Sequence, residues 1–192
     1  MYNDKVKSQD VAASSLIAGG TASDSASAKG VYKVQCHDAQ GNLKWEVEAP
    51  NLVVNEGLQD MNAKYFTGTT YTAAWYLGLY GSGATNSPAA GNTMASHGSW
   101  TEVTDYSQAT RPACTFGTPT TANPSVATNS ASPASFSINA TTVVGGAFLT
   151  TSNTKGGSTG VLYSAADFSA PGDRSVVSGD TLSVTYTLSL AG

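Results

Sequence analysis

Apolar and polar residues alternate strictly in two stretches of this chain. In residues 31–48, two alternating runs flank the turn-forming sequence at 38–42. This pattern predicts a β-hairpin with one buried face and one solvated face. In residues 182–190, apolar residues alternate with Ser and Thr without interruption. A second strand with one buried face is therefore predicted near the end of the chain.

One short helix is predicted between these stretches. Asn55 offers a side-chain oxygen to the amides of a first helical turn, and Gly68 can end the last turn. Leu58, Met61 and Tyr65 recur between them at helical spacing, which predicts a helix of about three turns. Several short strands, separated by segments rich in Gly, Pro, Asn and Ser, are predicted at residues 75–80, 100–106, 113–116, 135–139, 143–149 and 161–163. Together these elements predict an all-β fold, an antiparallel β-sandwich of jelly-roll-like architecture.

The first 29 residues differ in composition from the rest of the chain. They are rich in Ser, Ala and Asp, and no aromatic residue follows Tyr2. Such a segment buries too little apolar surface to order itself. We therefore interpret residues 1–29 as an extended N-terminal arm held by a neighbouring subunit, and residues 30–192 as one β-sandwich domain; docking of the arm on its own domain is the alternative. The arm lacks the pattern of a signal peptide, which predicts a bacterial cytoplasmic origin.

Charged residues make up 11% of the 192 residues, against roughly 25% in an ordinary soluble domain. The net charge is −4 and no segment concentrates Lys or Arg, so we expect no nucleic-acid partner. No apolar run approaches the roughly 20 residues that span a bilayer, so we expect no membrane insertion. A neutral surface rich in hydroxyl groups is compatible with many protein neighbours, and equally with the ordinary outward faces of β-strands.

The residues that could carry catalysis show no diagnostic spacing. His37 follows Cys36, but adjacent strand residues point to opposite faces, so they cannot act as base and nucleophile. His97 follows Ser96 without a nucleophile-elbow motif or a recognisable acid. We predict no catalytic residue, no cofactor site and no enzymatic activity.

The carboxylates and cysteines likewise predict no catalytic or metal site. The nearby pair Glu46 and Glu48 is expected on a solvated strand face, and the aspartates in turn-like segments are expected to form turns without binding calcium; they are Asp167, Asp173 and Asp180. Cys36 and Cys114 are too few for a disulfide framework or a zinc site. We interpret them as two buried thiols, with a single bridge as the alternative, and predict no metal site.

Aromatic residues near position 75 are divided between core and surface. Trp75 shares a strand face with Leu77 and Leu79, which predicts that it joins the core. Tyr76 and Tyr80 share the opposite face, where the following loop or another subunit could cover them. The predicted partner-binding residues, including apolar residues of the arm, are Tyr2, Leu16, Ile17, Tyr76 and Tyr80.

Several strings of the chain resemble small structural proteins of tailed-bacteriophage virions, of the head-decoration and fibre-like kind. They are NLVVNEGL at 51–58, AAWYLGL at 73–79, WTEVTDY at 100–106, GVLYSAADF at 160–168 and RSVVSGDTL at 174–182. With shorter matches between them, they extend over roughly residues 30–190 and leave the arm outside.

This resemblance implies a virion component, assembled in the cytoplasm of a bacterial host. Its implied role is a capsid decoration or cement protein that bridges neighbouring capsid subunits. The expected partners are the major capsid protein or other virion proteins, together with sister copies in a dimer or trimer. The alternative is a fibre, collar or receptor-binding module that recognises a host-surface glycan. The resemblance brings no catalytic residues.

Overall fold

The computed structural model describes residues 25–71, 74–81, 87–97, 100–169 and 172–192. Within these residues the chain forms twelve strands and one helix. In chain order they are β1 (Ser27–His37), β2 (Leu43–Pro50), β3 (Leu52–Val53), α1 (Asn55–Phe66), β4 (Tyr76–Tyr80), β5 (Glu102–Val103), β6 (Ser125–Thr128), β7 (Ala134–Ser137), β8 (Thr142–Val144), β9 (Gly146–Thr150), β10 (Leu162–Asp167), β11 (Arg174–Val176) and β12 (Thr181–Ala191).

The strands form two main antiparallel sheets and one two-stranded ribbon. The first sheet has the order β2-β1-β12-β6, and β7 also pairs with β12. The second has the order β3-β10-β9-β4-β5, and β11 pairs with β8. Buried side chains from both sheets form one main hydrophobic core. The predicted all-β, sandwich-like fold is confirmed.

The first sheet is built on the two stretches that alternate most clearly in the sequence. The β1–β2 hairpin is confirmed, and its turn is held by the Asp38 carboxylate, which accepts hydrogen bonds from the backbone N–H groups of Gln40 at 2.9 Å and Asn42 at 2.8 Å. β12 pairs with β1 along its whole length, from Ser27 opposite Ala191 to His37 opposite Thr181. Strand pairing therefore begins three residues before the predicted start of the domain at residue 30.

The second sheet is buried on both faces. All five residues of β9 are buried, and a second apolar cluster, which includes Met94 and Trp100, covers the face turned away from the main core. Neighbouring strands are closely fitted on that face, because a Cβ atom added to Gly78 would lie 2.1 Å from the ring of its cross-strand partner Phe148. Glycine is needed here to let the aromatic ring lie across the neighbouring strand.

Helix α1 occupies the predicted position. Asn55 is its first residue and Val54 takes the N-cap position without a side-chain bond, so the predicted Asn55 cap is wrong. Of the three residues at helical spacing, Met61 packs on the main core, whereas Leu58 and Tyr65 are exposed. The buried helical residue is Gly57, whose absent side chain lets the helix backbone approach that of β10. The predicted end at Gly68 is confirmed, since this residue has a φ of 68° just after the cap at Thr67.

Two further strand predictions need correction. The predicted strand at 113–116 is reduced to an isolated bridge between Ala113 and Tyr76, because the segment joins β4 only through bonds at its start. The predicted strand at 143–149 is divided at Gly145 into β8 and β9, which belong to different sheets.

Candidate functional site

Two large aromatic side chains stand in solvent at the C-terminal end of α1. Tyr65 is 84% exposed and Phe66 is 76% exposed, and their rings meet edge to face at 4.9 Å. The Thr67 hydroxyl donates a hydrogen bond to the Ala63 carbonyl at 2.8 Å, which fixes the last helical turn. The Lys64 ammonium donates to the Thr70 carbonyl at 2.9 Å and holds the following segment against the helix. We call Tyr65 and Phe66 the aromatic pair.

A groove of about 410 Å³ is lined in part by residues that follow the aromatic pair in the sequence. We call it the aromatic groove; the larger of its lining residues are Tyr71, Trp75, Tyr76, Phe116 and Pro119. Tyr71 is 51% exposed, and its hydroxyl accepts a hydrogen bond of 3.1 Å from the indole Nε1 of Trp75. The other side of Trp75 packs on the main core, with its ring 5.4 Å from that of Tyr163, which confirms the predicted core contact of Trp75.

The side of the groove formed by residues 113–119 is hydrogen-bonded to both sheets. The N–H of Leu77 donates to the Pro112 carbonyl at 2.9 Å, and the N–H of Cys114 donates to the Trp75 carbonyl at 2.7 Å. Further along, the N–H of Gly117 donates to the carbonyl of Thr128 in β6 at 2.9 Å. Backbone hydrogen bonds therefore fix this segment at both ends, and the groove is already formed in the isolated chain.

The chemistry of the groove is that of an uncharged contact surface. Among the described residues, none that lines it is Lys, Arg, Asp or Glu. Burial raises the pKa of the Cys114 thiol to about 12, so this sulfur stays protonated and is a poor nucleophile at neutral pH. Cys36 is also buried and free, which confirms the interpretation of the cysteines as two buried thiols. Stacking and hydrogen bonding to a neutral partner are the interactions this surface offers.

The predicted partner-binding residues are divided by the structure. Tyr76 is half-buried and lines the aromatic groove. Tyr80 is fully buried and its ring lies 4.9 Å from that of Trp100, so it contacts its own chain instead of a partner. Tyr2, Leu16 and Ile17 lie outside the described residues. Sequence reasoning missed the aromatic pair, because the helical spacing of Leu58, Met61 and Tyr65 does not show which of them is exposed.

The two histidines belong to different parts of the fold, since His37 ends β1 and His97 lies in the segment before Trp100. His97 stacks on Trp100, with ring centroids 3.9 Å apart, and its Nδ1 lies 3.0 Å from the Trp100 carbonyl oxygen. Cys36 is fully buried while the neighbouring His37 is half-buried, in agreement with their predicted opposite faces.

The candidate carboxylates are held by lysines or by a serine. Glu46 lies 3.0 Å from Lys33, and the more exposed Glu48 lies 3.7 Å from the same ammonium. Asp180 lies 2.5 Å from Lys44, and Asp167 lies 3.3 Å from Ser87. No group of three or more His, Cys, Asp or Glu side chains is placed to hold a metal ion within the described ranges.

Comparisons with protein-family models, with curated proteins and with solved structures found no match to this chain. The helix that the structure describes is too short to cross a membrane.

Proposed function

We propose that this chain is a structural protein of a tailed-phage virion, a capsid decoration protein that binds neighbouring subunits through the aromatic pair and the aromatic groove. The strings that resemble phage structural proteins are part of the folded body: those at 160–168 and 174–182 include β10, β11 and the start of β12. The resemblance therefore extends to segments that build both sheets.

The observation that carries the proposal is the exposure of three large aromatic side chains, one of which, Tyr71, lines an uncharged groove. Tyr65, Phe66 and Tyr71 each have roughly 200 Å² to bury, so together they leave roughly 400 Å² in solvent. A typical protein interface removes about 800 Å² from each partner, with aromatic residues enriched at its centre. The aromatic pair and the groove are therefore large enough to form the centre of such an interface.

The proposed partner is the major capsid protein or a sister copy on the particle. Because no charged side chain lines the described groove, binding should depend on aromatic packing and hydrogen bonds. We accordingly expect an affinity that changes little with ionic strength, in contrast to electrostatically steered association.

The proposal is tested by adding the purified chain to expanded phage capsids that lack it. Phe66→Ala should weaken attachment by about 2 kcal/mol, or roughly 30-fold, because it removes an exposed aromatic anchor. Leu43→Ala is the matched control, since Leu43 is also exposed, at 54%, but lies at the hairpin turn.

Copy number in purified particles gives the second readout. Hundreds of copies per particle are expected for a decoration protein. A handful of copies would contradict the decoration role and favour a fibre or collar position. Equal binding by Phe66→Ala and the unaltered chain would show that the aromatic pair is not the contact surface.

A further inference from the structure

We propose that a second pocket, on the far side of the second sheet, binds a neutral polyhydroxylated ligand of the glycan class. We call it the polar pocket. It has a volume of about 670 Å³ and is lined by residues 94–97, 100–102, 104 and 156–158. This volume lies within the range of ordinary ligand sites. The inference is independent of the proposed decoration role, because the pocket shares no lining residue with the aromatic groove.

One wall is a rigid stack of flat rings. Trp100 is 4% exposed and packs against Tyr80 and Phe148, whose ring centroids are 4.9 and 5.1 Å away. The half-buried His97 lies on this stack, nearly parallel to the indole at 16°. The C–H faces of a pyranose ring are apolar and can pack on such a flat surface, which needs no rearrangement to receive them.

Glu102, which lines the pocket, belongs to a charge pair that is neutral overall. The Glu102 carboxylate accepts bonds from the Arg111 guanidinium, at 2.9 and 2.7 Å, and from the Gly156 N–H at 2.8 Å. Arg111 is only 1% exposed, so the pair is closed to water. No other Lys, Arg, Asp or Glu lines the part of the pocket that is described. A phosphorylated or strongly ionic ligand would therefore find no counter-charge there.

Two hydroxyl side chains border the pocket. Thr104 and Ser158 are exposed lining residues, and each hydroxyl can both donate and accept a hydrogen bond. Hydroxyl groups of a sugar match this two-way bonding.

The test is a titration of the full chain with neutral disaccharides, namely maltose, cellobiose, lactose and chitobiose, followed by ligand-observed NMR. At least one should bind saturably with a dissociation constant of about 1 mM or less. Thr104→Val and Ser158→Ala each remove one exposed hydroxyl from the lining of the pocket. Each should weaken binding about fivefold, as expected for one hydrogen bond.

Tyr71→Ala, in the aromatic groove, is the matched control and should leave disaccharide binding unchanged. Thr104 and Ser158 are both exposed, so neither substitution should unfold the chain. The inference is overturned if none of the four disaccharides saturates the chain at about 20 mM, or if Tyr71→Ala abolishes binding while Ser158→Ala does not change it. Loss of capsid attachment by Phe66→Ala tests the decoration role separately.

Discussion

Replacing Glu102 should destabilise this protein far more than replacing any of its exposed carboxylates. The Arg111 guanidinium is buried, and four of its hydrogen bonds satisfy it: two to Glu102, one to the Ser152 carbonyl at 2.9 Å and one to the Gly157 carbonyl at 2.7 Å. Its planar group also lies 5.3 Å from the centre of the Phe148 ring. Glu102→Gln keeps the size of the side chain but leaves a buried positive charge without its counter-ion.

The expected magnitude follows from this burial. Removing one partner of a buried ion pair costs about 3–5 kcal/mol, because the remaining charge can neither reach water nor be neutralised. In a protein of this size, 1 kcal/mol shifts the melting temperature by about 2–4 °C. Glu102→Gln should therefore lower the melting temperature by about 10 °C. Urea unfolding measured by circular dichroism gives the free energy independently.

The control is Glu46→Gln, which breaks the ion pair with Lys33. Its two side chains are 35% and 40% exposed, and such surface pairs contribute about 0–1 kcal/mol. The double variant Arg111→Met with Glu102→Leu should regain much of the loss, because it leaves no buried charge. The reasoning would be refuted if Glu102→Gln cost no more than Glu46→Gln.

Two other substitutions test the packing and the charges. Gly57→Ala would ordinarily stabilise a helix, yet here the added Cβ would lie 2.4 Å from the Tyr163 carbonyl oxygen, so we expect a loss of about 1–3 kcal/mol in urea unfolding. Gly91→Ala, which meets nothing within 4 Å, should be close to neutral; equal effects would disprove the close approach. Burial opposes ionisation of Asp180, but the Lys44 ammonium and the Val177 N–H outweigh it and lower the pKa of this carboxyl. Its ionised form therefore stabilises the fold above the unfolded pKa of about 4, and this contribution is lost as the pH falls through the lower folded pKa. In the Asp180→Asn variant, the melting temperature should fall less steeply as the pH is lowered. An unchanged dependence on pH would show that the Asp180 carboxylate does not contribute in this way.

The sequence predicted best the strands that have one face exposed to solvent. β1, β2 and β12 form the first sheet, and their outward residues are polar, so the period of two is visible in the sequence. The hairpin turn was equally readable, because Asp38 and Gly41 each serve a local purpose: one accepts backbone bonds, and the other adopts a φ of 85°. Local sequence patterns are sufficient to predict the structure where each residue contacts water or a residue close to it in the chain.

Local rules failed where long-range packing decides the outcome. β9 is buried throughout, so it shows no alternation, and its cover includes Met94 and Trp100, about fifty residues earlier in the chain. Helix α1 packs through Gly57, a residue with no side chain to produce an apolar pattern. The burial of Arg111 was equally hidden, because it depends on Glu102 and on carbonyls of a loop more than forty residues away. None of these contacts is encoded by residue type at a fixed spacing.

We propose that a partner covers the aromatic pair, because every other aromatic ring of the described body except Tyr71 is buried or half-buried. The fully buried aromatic side chains of the described body are Tyr32, Tyr80, Tyr106, Tyr186, Phe136, Phe148 and Phe168. A fold that buries so many rings has a large core. Weak packing therefore does not explain why Tyr65 and Phe66 are exposed side by side. Because both rings lie mainly in solvent, they contribute little to the stability of the isolated chain. Phe66→Ala should accordingly leave the melting temperature unchanged while it weakens capsid attachment, and a clear drop in melting temperature would place this ring in the chain's own packing instead.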